Sequence, residues 1–238
     1  MVYIDESGTT SELEQSITLA SVWCAPITKE GHLSVLKYTA DMVKNEIEVS
    51  TGKWPNEIHF SSGLRRFSDS LVDTAIDSSV RDSSIHKKDL PWMGRPIAFR
   101  AVTFSPLLEA ALPGKDTHFH KNLRARGIIA LLMPLLLYSD EIKIEVSVIL
   151  DDEVWNGALN VCKACLKKAV DHSSVSLAFS CESSGRVPGL QIADLAAGVV
   201  RQHLIDGSGK KAFDALSSGT FHRLNQMRVV DKVKPFSN

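Results

Sequence analysis

The sequence predicts an α/β protein, with a mixed β-sheet flanked by helices and an α-helical insertion before the third strand. Two observations carry this prediction. Two short β-type runs open the chain close together, which favours an antiparallel pair. Later runs of the same kind alternate with helical patterns, which is typical of parallel strands joined by helices. With 238 residues, the chain is long enough for one large domain or two small ones.

The first two strands and the start of the insertion are predicted from the first fifty residues. Residues 2–5 and 17–25 are apolar and β-branched, and the acidic turn between them suggests a hairpin. The insertion follows at about residues 26–96. It begins with a helix over residues 30–49, where apolar residues recur near one face and Gly52 acts as a stop signal.

The remainder of the insertion is predicted as an extended piece, a helix and a loop. Residues 56–60 form the extended piece, and residues 68–76 form a helix that begins at Ser68 or Asp69. Residues 77–96 are polar and interrupted by proline and glycine, which favours a loop.

Three further strands, separated by helices, complete the predicted sheet. Residues 97–104 return to β-type composition. Residues 118–138 predict a long helix that is basic in its first half and apolar in its second. Residues 142–150 alternate in polarity and then become continuously apolar, as expected of a strand that enters the centre of a sheet.

The last predicted elements are a helix over residues 154–170, a strand over residues 175–181 and a helix over residues 190–204. Glycine and serine become frequent after the last of these helices. The predicted organisation is therefore a single domain over residues 1–205 and a C-terminal extension over residues 206–238.

The composition excludes several classes of protein. A chain with 44% hydrophobic and 23% charged residues is an ordinary globular protein rather than a disordered or fibrous one. Its longest strongly apolar run, residues 128–138, is shorter than the roughly 20 residues that span a bilayer. The first residues lack the basic and apolar regions of a signal peptide. We therefore expect a cytoplasmic protein with no membrane partner.

Charge is distributed unevenly, although Lys and Arg (27) nearly balance Asp and Glu (28). The net charge of -1 removes overall basicity as an argument for nucleic-acid binding. Residues 81–126, however, carry nine bases against four acids. Bases from this segment, with one from the last helix, would steer a nucleic-acid backbone: Lys121, Arg124, Arg126 and Arg201. The alternative is that such charges only form solvated surfaces.

Three aspartates lie where an ionised carboxylate is costly. Asp5 and Asp151 end apolar strands, and Asp194 interrupts an apolar helix on which Gln191 shares its face. A buried carboxylate costs several kcal/mol unless it is paired, hydrogen-bonded or bound to a metal. Glu57, in the segment Glu-Ile-His-Phe, is a fourth candidate. Gathered together, such carboxylates form the ligand set that Mg²⁺ or Mn²⁺ prefers.

Each of these residues also has a structural alternative. Asp5 would form a turn before Ser-Gly, and Asp151 would cap the next helix. Asp194 would pair with an arginine, and Glu57 would be an ordinary solvated residue. Other classes of site find little support, because the chain contains no phosphate-binding glycine motif, no G-x-S-x-G and no H-E-x-x-H.

Three segments of the chain resemble the signatures of the bacterial domain of unknown function 3800 (DUF3800) family. They are Tyr-Ile-Asp-Glu-Ser-Gly at residues 3–8, Val-Ile-Leu-Asp at residues 148–151 and Gly-Leu-Gln-Ile-Ala-Asp-Leu at residues 189–195. The resemblance covers about residues 2–205. It implies a ribonuclease H-like fold, in which Asp5, Asp151 and Asp194 correspond to the carboxylates that hold divalent metal.

The fourth ligand departs from the usual ribonuclease H-like pattern. The helix predicted over residues 118–138 offers no glutamate, although such enzymes usually take one from the helix after the third strand. Glu57 looks similar to the acidic residue that follows the first helix in the DUF3800 family, and Glu6 is a second candidate. His59 would act as a proton shuttle or phosphate contact, with a structural role as the alternative.

These features predict a metal-dependent nuclease that hydrolyses phosphodiester bonds by a two-metal mechanism. Asp5 would bridge the ions, with Asp151, Asp194 and Glu57 as outer ligands and DNA or RNA as the partner. The main alternative is a non-catalytic ribonuclease H-like module that binds nucleic acid or a partner protein in a defence or mobile-element system. A hydrolase of nucleotides or other small phosphate esters is the second alternative. A homodimer formed through the insertion is compatible with each of these three functions.

Overall fold

Six strands of the described residues form one mixed sheet in a computed structural model of the chain. The structure describes residues 1–8, 17–24, 29–61, 63–81, 97–104, 127–132, 144–152, 159–160, 175–217 and 227–230. The strands are β1 (Val2–Ser7), β2 (Ile17–Cys24), β3 (Ile97–Phe104), β4 (Ile144–Asp151), β5 (Val175–Glu182) and β6 (Met227–Val230).

The order of the strands across the sheet is β5-β4-β1-β2-β3-β6. β1, β2 and β3 pair antiparallel, whereas β4 and β5 extend the sheet parallel to β1, and β6 lies parallel to β3. The predicted mixed α/β sheet is therefore confirmed.

Helices of the insertion lie between β2 and β3, as predicted. They are α1 (Lys29–Thr51), a short 3₁₀ turn (Arg65–Phe67) and α2 (Ser68–Arg81). The predicted loop over residues 77–96 is wrong at its start, because residues 77–81 continue α2. The polar residues there suit a helix, since the hydroxyls of buried Ser78 and Ser79 donate to the carbonyls of Thr74 and Ile76. Residues 82–96 lie outside the described residues.

The helix that organises the site is α3 (Pro188–Asp206), which packs against β1 and β2. Proline at its first turn and left-handed Gly207 after its last turn set its limits. Every residue from Gly189 to Gln202 is buried. A Cβ atom at Gly189 would lie 2.4 Å from the ring of Tyr3, so glycine there lets the helix approach β1 closely.

The later helices are described only in part. Residues 127–132 of the predicted helix 118–138 are helical, as are residues 159–160 of the predicted helix 154–170, and the rest of both lies outside the described residues. The boundary at residue 205 stays a prediction. Two elements beyond it belong to the same sheet and helix layer, since α4 (Lys210–Ser217) packs against α2 and β6 pairs with β3. No helix of the described residues is long and apolar enough to cross a membrane.

Candidate active site

The register of the central parallel strands brings Asp5 and Asp151 to neighbouring positions. Ile4 of β1 pairs with Leu150 of β4, and each aspartate follows its residue directly. Both aspartates are buried, with 6% of each exposed. The turn alternative for Asp5 is wrong, because β1 continues through Ser7. The cap alternative for Asp151 depends on residues 153–158, which lie outside the described residues.

Helix α3 contributes Asp194 from the other side of the same site. Its side chain is buried, and its Oδ2 accepts a 2.8 Å hydrogen bond from the backbone N–H of Phe60. Nδ1 of His59 lies 3.2 Å from the same oxygen. In the part of the chain that the structure describes, the charged partner of Asp194 is therefore this histidine rather than the arginine of the alternative.

Gln191, one turn before Asp194 on α3, connects two loops. Its Oε1 accepts the backbone N–H of Ile58 at 3.1 Å, and its Nε2 donates to the carbonyl of Ser184 at 2.9 Å. The amide is buried, so each of its hydrogen bonds replaces a contact with water. Gln191 thus positions the segment that carries Glu57 and His59.

Residues of β1, β4, α3 and the two loops line an open cleft of about 370 Å³. Its lining contains every predicted acidic residue and the predicted histidine, together with Ile58 and two serines: Asp5, Glu6, Glu57, His59, Asp151, Asp194, Ser183 and Ser184. Glu57 is exposed, and its carboxylate faces Gly185, where an added Cβ would lie 3.2 Å from Oε2. The alternative of a solvated Glu57 is thus compatible with a position at the edge of the cleft.

Burial and neighbouring charges shift two pKa values in the cleft. Burial raises the pKa of Asp5 well above its usual value, and the carboxylates of Asp194 and Asp151 raise it further. A 2.8 Å hydrogen bond from the N–H of Glu6 opposes the shift. The pKa of His59 is raised mainly by its hydrogen bond with Asp194. The cleft therefore concentrates negative charge that the described residues compensate only in part.

The buried charged side chains of the cleft are the carboxylates of Asp5, Asp151 and Asp194. Carboxylate oxygens suit a hard divalent cation. Among the residues that the structure describes, no group of three or more His, Cys, Asp or Glu side chains is arranged to hold a metal ion. Metal ligation by Asp5, Glu57, Asp151 and Asp194 stays a prediction.

Some polar residues near the cleft were not predicted from the sequence. Ser183 and Ser184 line it, and Glu182 pairs with Asp151 across β4 and β5. Glu182 ends its strand as Asp151 does, and that pattern is the signal that could have identified it. The steering role expected of Arg201 is wrong, because this residue is buried in α3. The other three predicted bases lie outside the described residues: Lys121, Arg124 and Arg126.

Comparison with known proteins gives a distant structural likeness. No protein-family model matches the chain, and no curated protein matches it. Among solved structures, the chain is similar to one in the structure of the PCNA:RNase HII complex from Archaeoglobus fulgidus. The identity is 16%, the TM-score is 0.44, and the match covers 87% of this chain and 73% of that chain. A likeness of this size carries no conclusion about function.

Proposed function

We propose that the protein is a metal-dependent nuclease of the DUF3800 type, which hydrolyses phosphodiester bonds. One observation carries the proposal: Asp5, Asp151 and Asp194 are buried carboxylates that line the same cleft, although they come from β1, β4 and α3. Three distant motifs, each weak by itself, converge there. The same three motifs support membership of the DUF3800 family.

Electrostatics explains why such a cleft would take up cations. Burial is the main cause of the raised pKa of Asp5, and repulsion from the carboxylates of Asp194 and Asp151 raises it further. Mg²⁺ or Mn²⁺ would relieve this repulsion, held by Asp5, Asp151 and Asp194 with Glu57 as a fourth ligand and Glu6 as its alternative. The bound cations would supply an activated water and stabilise the leaving oxygen.

The protein's own groups would orient the phosphate and move a proton. His59 uses Nδ1 toward Asp194 and exposes 74% of its side chain at the cleft. Its second ring nitrogen, Nε2, would therefore serve a phosphate oxygen or the proton of the leaving group. Gln191 would keep this histidine and Glu57 in place through the backbone of Ile58.

The substrate we propose is a nucleic acid. The cleft is open and lined mainly by polar side chains, as suits a phosphodiester backbone rather than an apolar ligand. DNA and RNA share this backbone chemistry, so the sugar and the strandedness of the substrate are separate variables of the test.

The test is a titration of Mg²⁺ and Mn²⁺ with labelled single-stranded, duplex and DNA–RNA hybrid substrates. The wild-type protein should cleave at least one of them. Asp194→Asn should lower the rate at least about 100-fold, since oriented metal-ligand carboxylates are not replaced by an amide. Asp41→Asn, on the exposed face of α1, is the matched control and should cleave like the wild type.

The outcomes separate the proposal from its two alternatives. Equal cleavage by the wild type and Asp194→Asn contradicts the proposed site. Binding of nucleic acid without cleavage at any metal concentration favours the non-catalytic module. Hydrolysis of nucleotides or small phosphate esters without cleavage of polymers favours the small-substrate enzyme.

A further inference from the structure

We infer that Arg65 and Arg66 form a phosphate-binding subsite that holds a nucleic-acid strand about 12 Å from the carboxylate cleft. The inference rests on the proposed function and identifies a contact for the polyanionic substrate. Neither arginine belongs to residues 81–126, the basic segment of the sequence. Their position follows from the way the insertion is attached to α3.

Residues 58–61 and 63–65 lie beside α3 and contact it at Gln191, Asp194 and Gln202. The N–H of Ile58 donates to Gln191, that of Phe60 donates to Asp194, and the carbonyl of Arg65 accepts from Nε2 of Gln202 at 3.4 Å. The order of these contacts is the same on both segments. The attachments therefore place the backbone of Arg65 about two helical turns along α3 from Asp194.

That distance follows from the geometry of the helix. Asp194 and Gln202 are eight positions apart, and a rise of about 1.5 Å per residue separates them by about 12 Å along the axis. The ring of Phe60 packs against Gly198, which lies between Asp194 and Gln202 on α3. An added Cβ at Gly198 would lie 2.1 Å from this ring. This close packing keeps the segment against the helix, so Arg65 and Arg66 are held at a defined distance from Asp194.

Both arginines are exposed and suited to contact phosphate. The guanidinium of Arg66 lies over the ring of Phe67, 4.5 Å from the centroid, and Phe67 itself packs against the hydrophobic core. Within the described residues, this stacking restrains the side chain and leaves the N–H groups at the edge of the guanidinium available to bind oxygen. Asp206 is an acidic neighbour of Arg65, but its carboxylate accepts hydrogen bonds from the N–H and hydroxyl of Ser208.

The spacing matches a strand rather than a mononucleotide. Nucleotides advance by about 3.4 Å along a stacked strand, so about 12 Å corresponds to three or four of them. A strand whose scissile phosphate lies at the carboxylates would therefore bring a second phosphate to the arginines. A mononucleotide or dinucleotide in the cleft would not reach them.

The experiment measures binding separately from cleavage. Fluorescence anisotropy with labelled single-stranded DNA and RNA of two and ten nucleotides is recorded in chelator, over a range of salt. The variants are Arg65→Glu and Arg66→Glu. Both replace a side chain and keep the backbone carbonyl of residue 65 that Gln202 contacts. Lys37→Glu is the matched control, because Lys37 is exposed on α1 and its reversal changes the net charge equally. Circular dichroism and Tm check that each variant folds.

We expect each arginine variant to bind the ten-nucleotide strand at least about 5-fold more weakly than the wild type. The slope of log affinity against log salt should fall by about 0.7 for each lost phosphate contact. Affinity for the dinucleotide should stay within about 2-fold, and the control should match the wild type for both lengths. These results together would support the subsite.

Three results would overturn the inference: unchanged binding of the long strand by both arginine variants, an equal loss in Lys37→Glu, or no binding of either strand by the wild type. Unchanged binding together with metal-dependent cleavage would leave the proposed nuclease intact. A length-dependent loss of binding without any cleavage would uphold the subsite and contradict the nuclease.

Discussion

The backbone N–H of Phe60 donates a 2.8 Å hydrogen bond to Oδ2 of Asp194 across 134 residues of sequence. The bond attaches the helical insertion to the helix that carries the third buried carboxylate. Through it, Glu57 and His59 reach the cleft that is lined by Asp5 of β1 and Asp151 at the end of β4. The insertion is therefore part of the candidate active site rather than a separate appendage.

Asp194→Asn should lower the pKa of His59 toward its ordinary value in metal-free protein. The hydrogen bond with Asp194 is the largest cause of the raised pKa, and an amide carries no charge to favour the imidazolium. NMR titration of the imidazole in the presence of chelator measures the shift. Asp41→Asn, on the exposed face of α1, is the control and should leave the pKa of His59 unchanged.

The pairing of His59 with Asp194 should also make stability depend on pH near the pKa of the imidazole. Because the pKa of His59 is raised in the folded protein, protonation of His59 favours folding below its unfolded value of about 6.5. This contribution is lost as the pH rises through the folded pKa. The Tm difference between wild type and Asp194→Asn should therefore change across that range, and a difference independent of pH would contradict the pairing.

Asp5→Asn should stabilise the protein when no metal is present. The variant removes a buried carboxyl group whose ionisation is disfavoured by burial and by the carboxylates of Asp194 and Asp151. We therefore expect a higher Tm for Asp5→Asn than for the wild type. Thermal unfolding in chelator at pH 7 measures it.

Addition of Mn²⁺ should reverse the order of the two proteins. The wild type should gain Tm with increasing Mn²⁺, as a ligand that binds only the folded state requires, and Asp5→Asn should gain little. Asp41→Asn should respond like the wild type. A variant that is less stable in chelator and equally responsive to Mn²⁺ would show that Asp5 is a structural residue.

Gln191→Ala should release the segment that carries His59. The buried N–H of Ile58 and the half-buried carbonyl of Ser184 would lose their partner, at a cost of about 1 to 3 kcal/mol. Urea unfolding measures this cost, and hydrogen exchange measures the lost protection of the Ile58 amide. Asn45→Ala, on the exposed face of α1, should change neither. Unchanged protection of Ile58 in Gln191→Ala would contradict the positioning role.

Gly198→Ala should destabilise the protein, although alanine normally favours a helix. The new Cβ would lie 2.1 Å from the ring of Phe60, so the ring or the helix must move. Such overpacking costs about 1 to 3 kcal/mol, which exceeds the gain of about 1 kcal/mol in helix propensity. At Gly63 the nearest atom would be 3.9 Å away, so Gly63→Ala is the control and should change stability little. Equal stability of the two variants in urea would contradict the close packing.

Much of the sheet follows from patterns that are local in the sequence. The apolar and β-branched composition of residues 17–24 and 97–104 reflects burial on both faces of the sheet, since every described side chain of β2 and β3 is buried. Asp5, Asp151 and Asp194 stood out because a charge within an apolar run must have a compensating environment. Their common cleft required the parallel register of β1 with β4, which depends on contacts between distant residues.

Other features of the site depend on packing that no local pattern records. The Phe60–Gly198 contact joins an extended segment to a helix, and neither residue has a signal of its own in the sequence. Arg201 carries a charge typical of the surface, yet α3 is buried all round at that position. The polar residues at the end of α2 were predicted as a loop. Composition does not reveal that the hydroxyls of Ser78 and Ser79 donate to backbone carbonyls of the preceding turn.

The most direct test of the central claim is the initial rate at which a labelled oligonucleotide is cleaved with increasing Mn²⁺, in wild type and in Asp151→Asn. Asp151 is buried beside Asp5 at the centre of the sheet, so its amide variant changes the charge of the cleft while keeping its shape. The account predicts wild-type cleavage that saturates with Mn²⁺, stops in chelator and falls at least about 100-fold in Asp151→Asn. Cleavage that persists in chelator, or that is equal in the two proteins, would contradict it.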